Sequence, residues 1–527
     1  MNNNQYSRVV FWSVFALAII ILNIYCLRIN LNADSLFPYR YIAALFSDNK
    51  NLIIIQPGSR IFPEWLYSAL AYQLTTESMA WSRIVIFFNA LLLGLSFLYL
   101  FKKLGFDQQK TLLFTVVGLL IIPIQNLLHL NVLIYFIFSP GLHGFFMPYL
   151  IFCLALFIGW HAQVKTSKLS VVVFIVISGL LIASNLNFML ALLIPLSILI
   201  LILMAFKQMK PQLGLKLYII ILVSIVLGVL LAKALQLIPG LKFLQNHFNF
   251  FEVSFSDWLK NNELMNKMRT RKIVGYIFEI FVISQLLSIY SIYHFVNRKQ
   301  SGGDKLVLLN IIHLIWPPLI IVALWVINKQ SIRLMPYILI FSPLLLVINT
   351  VQVFKKQLNT VYLLLLILLL SIISTYVFMD TNRPYIQHNN IDETLLGLQE
   401  SNQIKGVGLS DYWISNAIFH KDLELLPIDT LGKALIFAMD AKAFWHQGEV
   451  NINNEKFIDF IVNRKKIKAN KWVLNEKALN KMFGQWDNYI DKNIDNKSYR
   501  IYLYTNGIDK KSFYDNLNTQ LKVMTLN

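Results

Sequence analysis

The apolar residues of this 527-residue chain gather into long unbroken runs, without the regular polar interruptions of a soluble amphipathic helix. A run of about 18 or more apolar residues, wound as a helix, crosses the ~30 Å hydrocarbon layer of a bilayer. Eleven such spans are predicted, at about 9–29, 80–101, 111–128, 143–162, 171–184, 187–206, 217–237, 273–296, 305–327, 332–352 and 358–379. The fifth is short, and Asn185-Leu186-Asn187 makes a tight polar turn into the sixth. The first apolar stretch, Val9 to Leu27, has the length of a signal peptide. No small-residue cleavage site follows it and further spans do, so it reads as a transmembrane helix.

After residue 379 the pattern changes. Short apolar strands (Lys405–Leu409, Glu424–Ile428, Phe457–Val462, Arg500–Thr505) alternate with helical patterns at Asp411–Phe419 and Val473–Phe483. That alternation predicts a small α/β domain. The expected fold class is therefore an α-helical polytopic membrane protein, with a transmembrane domain over 1–379 and a soluble α/β domain over 380–527.

Two connections are long. The first, 30–79, holds two amphipathic stretches, Ser35–Phe46 and Pro63–Leu74, broken by Gln56-Pro57-Gly58. Such stretches lie along the membrane interface. The second, 238–272, is aromatic and charged. There is no internal repeat and no Gly-rich phosphate loop.

Composition agrees with a membrane body: 56% of residues are hydrophobic and the mean hydropathy is +0.56. The net charge of +19 invites a nucleic-acid reading, but its distribution opposes one. Residues 380–527 hold 19 Lys/Arg and 18 Asp/Glu, so the excess lies in the membrane body, where short loops collect basic residues. With the N-terminus inside, the cytoplasmic loops net +12 and the opposite side about +6, which predicts an N-in, C-out topology. Both cysteines, Cys26 and Cys153, fall within apolar segments, which excludes a disulfide scaffold or a cysteine metal site.

Acids are scarce in the membrane body, which places ten of the chain's 28. Asp34 directly follows the first span and precedes an amphipathic stretch. It suits a helix N-cap, and equally a general base for an acceptor hydroxyl. Glu64, after Pro63, suits either a first-turn helix acid or an acceptor-orienting carboxylate. Arg333 opens the tenth span, where it could anchor in headgroups or hold a phosphate. His143 sits beside Pro140, Gly141 and Gly144, small neighbours that admit a ligand or simply pack. Arg60 and Arg40 are further cationic candidates. Asp48 and Glu77 read as solvated surface charges. Lys233 and Glu279, each about 8–9 Å below the outer end of sequential antiparallel helices, are expected to pair. His313 with Pro317-Pro318 reads as a kinked, packed helix. No metal motif is present; Asp34, Glu64 and His143 could hold a divalent cation, though nothing in their spacing requires one.

The loop text Asp34-Ser35-Leu36-Phe37, Arg40-Tyr41 and Phe46, followed by Ser59-Arg60-Ile61-Phe62-Pro63-Glu64, resembles the GT-C superfamily of membrane glycosyltransferases. So do Ser139-Pro140-Gly141-Leu142-His143-Gly144 and Gly408-Leu409-Ser410-Asp411-Tyr412-Trp413. That superfamily includes the protein O-mannosyltransferases and the aminoarabinose-transferring lipid A enzymes. The resemblance implies a bacterial inner-membrane enzyme with a periplasmic C-terminal domain and a polyprenyl-phosphate-linked sugar as donor. The acceptor would be a glycan, lipid or protein hydroxyl, and no cofactor is required. It implies Asp34 as base, with Glu64 beside it and Arg333, His143, Arg60 and Arg40 on the lipid phosphate. The Asp411-Tyr412-Trp413 segment reads as a helix start with buried aromatics or as an acceptor contact. Two other classes compete: a lipid or polysaccharide transporter or flippase, and a surface-polysaccharide polymerase or ligase. The first would show midplane charges and inverted repeats, and the second would place its key residues in a large late outer loop.

Overall fold

The computed structural model describes residues 3–27, 38–39, 42, 46, 53–56, 61–125, 145–163, 167–184, 188–236, 241–243, 272–298, 303–326, 336–353, 360–381, 389–405, 407–415, 425–428, 431, 433, 438–439, 458–465, 473–494, 497–508, 515 and 519. Each predicted apolar run contains a helix. In chain order these are α1 (Asn3–Cys26), then α3 (Ser78–Leu104) and α4 (Gln108–Gln125) after a short α2 (Leu66–Leu74) in the first loop. There follow α5 (Met147–Gln163), α6 (Lys168–Ser184), α7 (Ile194–Ala205, entered through a π-helical turn at Met189–Leu193) and α8 (Pro211–Gln236). Last come α9 (Lys272–Arg298), α10 (Gly303–Val326), α11 (Pro336–Val353) and α12 (Thr360–Thr381). Among the described residues four helices are long and apolar enough to cross a membrane: Val9–Cys26 in α1, α3, α4, and Pro211–Leu235 in α8. Six shorter apolar helices accompany them.

Local chemistry sets the helix ends. Glu77, expected as a free surface charge, caps α3: its carboxylate accepts from Met79 N at 2.8 Å and Ala80 N at 2.5 Å. Gly105, in the left-handed region at φ 82°, closes the other end of α3. There Lys305 Nζ donates to the Lys103 carbonyl at 3.0 Å, tying the start of α10 to the end of α3. Asp107 caps α4 by accepting from Lys110 N at 2.8 Å. Burial pushes the Asp107 carboxyl up, but its hydrogen bonds and ion pair with Lys110 outweigh this and hold it below its ordinary value.

Of the four long apolar helices, α4 is the most enclosed. Seventy-two per cent of its spanning window is buried, against 33% in α8. It packs on α1, α3, α11 and α12, and Ser374 of α12 donates to the Pro123 carbonyl in its last turn at 2.5 Å. That bond satisfies a helix-end acceptor where hydrocarbon offers no water. On the other side of the bundle α6 lies close against α8. A Cβ on Gly228 would meet Ile182 at 2.5 Å and the Gly179 carbonyl at 3.0 Å, so a small residue is needed there.

Helices α9, α10 and α11 share a polar seam. The Asn310 and Asn349 amides exchange hydrogen bonds at 3.1 and 2.7 Å, flanked by Ser291 and Ser288 at 3.4 Å. His313 is buried and hydrogen-bonded to Ser284 Oγ at 2.9 Å, in keeping with its reading as a packed residue. The expected Lys233–Glu279 pair does not form: both residues are exposed and no ion pair joins them. The reason is packing order. α8 packs on α6 and α7, whereas α9 packs on α10 and α11, so helices consecutive in sequence are not partners in space.

The C-terminal region forms a five-stranded sheet of order β4-β3-β6-β8-β7. Its strands are β3 (Val407–Asp411), β4 (Leu425–Ile428), β6 (Ile458–Arg464), β7 (Asn488–Ile494) and β8 (Lys497–Leu503). β3 runs parallel to both β4 and β6, while β8 is antiparallel to β6 and to β7. Helix α13 (Asn389–Glu400) covers one face through Ile391, Leu395 and Leu398, packed with Phe460 and Val462. A second helix, α15 (Glu476–Phe483), covers the other through Leu479 and Phe483, packed with Leu409 and Ile461. Neither α13 nor β7 was expected from sequence. The expected helix at Asp411–Phe419 is described as α14 (Tyr412–Ser415), with Asp411 Oδ1 accepting from Ile414 N at 3.2 Å.

Candidate functional site

The first loop is fastened to the helix ends by a series of specific contacts. At Ile61–Trp65 the chain turns through an extended Phe62 and a cis Phe62–Pro63 bond. Phe62 N donates to Ser184 Oγ, at the end of α6, at 2.7 Å, and the Phe62 ring meets Tyr149 of α5 at 4.9 Å. Glu64 follows at once and is buried, with 7% exposure. Burial of a carboxylate costs free energy unless it is hydrogen-bonded or paired, which sets Glu64 apart from an exposed first-turn acid.

From Glu64 the chain enters α2, whose two faces differ. Tyr67, Ser68 and Ala71 point inward, while Leu66, Leu70 and Leu74 are exposed at fourfold spacing. The two faces make α2 amphipathic, as the pattern over Pro63–Leu74 predicts. Tyr67 and Tyr149 share a hydroxyl–hydroxyl bond at 2.5 Å, and the Tyr67 ring packs on Phe145 at 5.5 Å. Burial pushes the Tyr67 hydroxyl well above its ordinary value, with Tyr149 adding to the shift, so it is a neutral hydrogen-bonding group. Trp81 Nε1 donates to the Ser68 carbonyl at 3.1 Å, and Tyr39 packs against Trp81 at 5.3 Å and Tyr72 at 5.9 Å. Phe46 stacks on Tyr72 at 5.7 Å. Aromatic contacts of this kind fix a loop over a helix end.

A second assembly joins the loops themselves. β1 (Ile53–Gln56) of the first loop pairs in parallel with β2 (Leu241–Phe243) of the second, with Ile54 opposite Leu241 and Gln56 opposite Phe243. On its other edge β1 pairs antiparallel with β5 (Ala438–Met439) of the C-terminal region, Ile54 opposite Ala438. One three-stranded sheet, β2-β1-β5, thus draws on three segments distant in sequence.

Of the expected site residues, Glu64 alone lies among those described. Asp34, Arg40, Arg60, His143 and Arg333 fall outside them. Sequence reasoning missed Tyr67, Tyr149 and Ser184. Tyr67 carried a signal, since it sits three residues past Glu64 on the inward face of an amphipathic helix. Tyr149 and Ser184 carried none, because their partners are 82 and 122 residues away in the chain. Among the described residues, no three His, Cys, Asp or Glu side chains gather as metal ligands. No family model matches the chain, and neither a curated protein nor a solved structure matches it.

Proposed function

We propose that this chain is a multi-pass inner-membrane glycosyltransferase of bacteria, taking a sugar from a polyprenyl phosphate at the outer face of the membrane. The acceptor is a hydroxyl of a glycan, lipid or protein. The observation that carries the reading is the β2-β1-β5 sheet, because it draws both long loops and the C-terminal region together. A transfer between a lipid-bound donor and a second substrate needs such a junction of interface and soluble domain.

Parity supports the eleven-span, N-in, C-out arrangement. Six apolar runs separate β1 from β2 and four more separate β2 from β5, so an even number of crossings returns each strand to one side. Six runs likewise separate Lys103 from its partner Lys305, both assigned to the cytoplasmic side. The C-terminal domain is then periplasmic.

In the proposed reaction Asp34 accepts the proton of the acceptor hydroxyl as its oxygen attacks the anomeric carbon. The bond from that carbon to the phosphate oxygen breaks, and polyprenyl phosphate leaves with the electron pair. Arg333, His143, Arg60 and Arg40 stabilise the departing phosphate, and Glu64 orients the acceptor. The chain tethers several of these to described anchors. His143 stands two residues before Phe145, Arg60 one before Ile61, and Asp34 five before Tyr39.

The test is transfer by membranes carrying Asp34→Asn, supplied with labelled polyprenyl-phosphate sugars. Loss of a general base lowers the rate by about 100-fold or more. Transfer at the wild-type rate by a well-folded Asp34→Asn protein would overturn the mechanism.

A further inference from the structure

The end of the bundle where α6, α7 and α8 meet carries a charge pattern that the transfer reaction does not use. No Asp or Glu occurs between Asp107 and Glu252, a stretch that contains all three helices. Lys168 opens α6, Lys207 and Lys210 stand in the turn from α7 to α8, and Lys216 lies in the second turn of α8. All four are exposed, and among the described residues none of them is in an ion pair.

Packing brings these lysines to one level. Short connections set α7 antiparallel to both of its neighbours, so α6 and α8 run the same way. The two helices touch at Gly179 and Gly228. Lys168 stands 11 residues before the first of these and Lys216 12 before the second. Each interval is a rise of ~17 Å, which makes the two lysines level. The turn that holds Lys207 and Lys210 closes at the same end and is fixed in place. Met209 is buried, and Gln208 N donates to the Leu203 carbonyl at 2.8 Å. Lys207 itself holds φ 56°, in the left-handed region where Gly or Asn is the usual occupant. Trp160 Nε1 donates to Ser170 Oγ at 2.9 Å, joining the end of α5 to the start of α6. The Lys103 stem lies against Gly159 of that same α5 end, so this is the end already assigned to the cytoplasm.

Three of the four lysines have a large exposed apolar neighbour. Leu169 follows Lys168 at 74% exposure, Phe206 precedes Lys207 at 73%, and Leu215 precedes Lys216 at 61%. A cation beside an apolar side chain suits the boundary between headgroups and acyl chains, where the lysine stem lies along hydrocarbon and its ammonium reaches the phosphates.

We infer that this end of α6, α7 and α8 is a docking surface for anionic phospholipids, with Lys168, Lys207, Lys210 and Lys216 on the headgroups. Leu169, Phe206 and Leu215 enter the top of the acyl layer beneath them. Charge selects the lipid class. A zwitterionic headgroup brings an ammonium, and these helices offer no carboxylate to meet it; a net-anionic headgroup brings none. Basic clusters at the cytoplasmic ends of membrane helices recognise acidic lipids in this way.

The experiment places the full chain in bilayers and compares spin-labelled phosphatidylglycerol with spin-labelled phosphatidylcholine for the fraction held at the protein surface. The wild type prefers phosphatidylglycerol by about twofold or more at low ionic strength, and salt at about 1 M removes most of that preference. Lys168→Gln, Lys207→Gln, Lys210→Gln and Lys216→Gln combined lower the preference by about half or more. Lys233→Gln, toward the opposite end of α8, leaves it unchanged. Equal retention of the two lipids by the wild type overturns the inference, and so does an undiminished preference in a folded combined variant. If the combined variant fails to fold, Lys207→Gln with Lys210→Gln decides, since both changes fall in the exposed turn; an undiminished preference there overturns the surface. Loss of the preference on adding inorganic phosphate at constant ionic strength would assign the lysines to a free anion and overturn the lipid assignment.

Discussion

Asn310 and Asn349 answer each other across α10 and α11, and the Asn310 amide also donates to the Leu306 carbonyl of its own helix at 2.9 Å. Their value is set by what replaces them. Truncating one removes both bonds across the helix pair, including the donor to the other's buried side-chain carbonyl, at a cost of about 1 kcal/mol for intramembrane hydrogen bonds of this type. Asn349→Ala is therefore expected to lower the unfolding midpoint of the detergent-solubilised protein, and Asn310→Ala,Asn349→Ala to cost less than twice as much. Equal midpoints for Asn349→Ala and wild type would show that the seam contributes nothing. Glu64 presents the same issue at the candidate site: its carboxylate is enclosed at 7% exposure, whereas Glu77, thirteen residues on, caps a helix in the open.

Among the elements, the β7–β8 hairpin carries an ion-pair cluster. Arg500 reaches Asp491 from Nε at 2.9 Å and Nη2 at 3.2 Å, Lys465 reaches it from the neighbouring strand, and Arg500 also lies over the Tyr489 ring at 4.2 Å. The hydrogen bond from Arg500, joined by Lys465, holds the Asp491 carboxyl down to about 2. Because the folded value lies below the unfolded one of about 3.9, the contribution is complete above pH 4 and disappears as pH falls toward 2. Solvent screening makes it small, as Asp491 is 37% exposed. Unfolding temperature followed from pH 5 to 2 should fall less steeply for Asp491→Asn than for wild type; parallel profiles would remove the effect. The hairpin also shows what could be read in advance. The membrane helices were legible because a long apolar run has few other fates. β7 was not, because Asn488-Tyr489-Ile490-Asp491-Lys492-Asn493-Ile494 is a mostly exposed edge strand, set by pairing with β8 rather than by burial. The Lys233–Glu279 pairing failed for a related reason: depth within a helix is local, but the choice of neighbour is not. In the first loop the amphipathic helix after Glu64 could be read, and the bonds to Tyr149 and Ser184 could not.

For the whole molecule, the β1–β5 pairing ties the C-terminal region to the first loop, and it offers a direct check. Ile54 and Ala438 face each other in an antiparallel ladder, where Cα atoms lie about 4.5–5.5 Å apart and within disulfide range. Ile54→Cys with Ala438→Cys should cross-link spontaneously in an oxidising compartment, with a reducible mobility shift, while Ile54→Cys with a cysteine at Leu503 should not. Absence of that cross-link would detach the domain from the loop. The enclosure of α4 carries a consequence for biosynthesis. This helix is among the first to leave the ribosome, yet two of its four neighbours, α11 and α12, are the last of the bundle to be made. Its faces must first be covered by lipid or by the insertion machinery, and the Pro123 carbonyl must wait for Ser374, made 251 residues later. The membrane core is thus completed only once its last helix, α12, has been made, so a chain arrested before then would expose a recognisably unfinished helix to quality control.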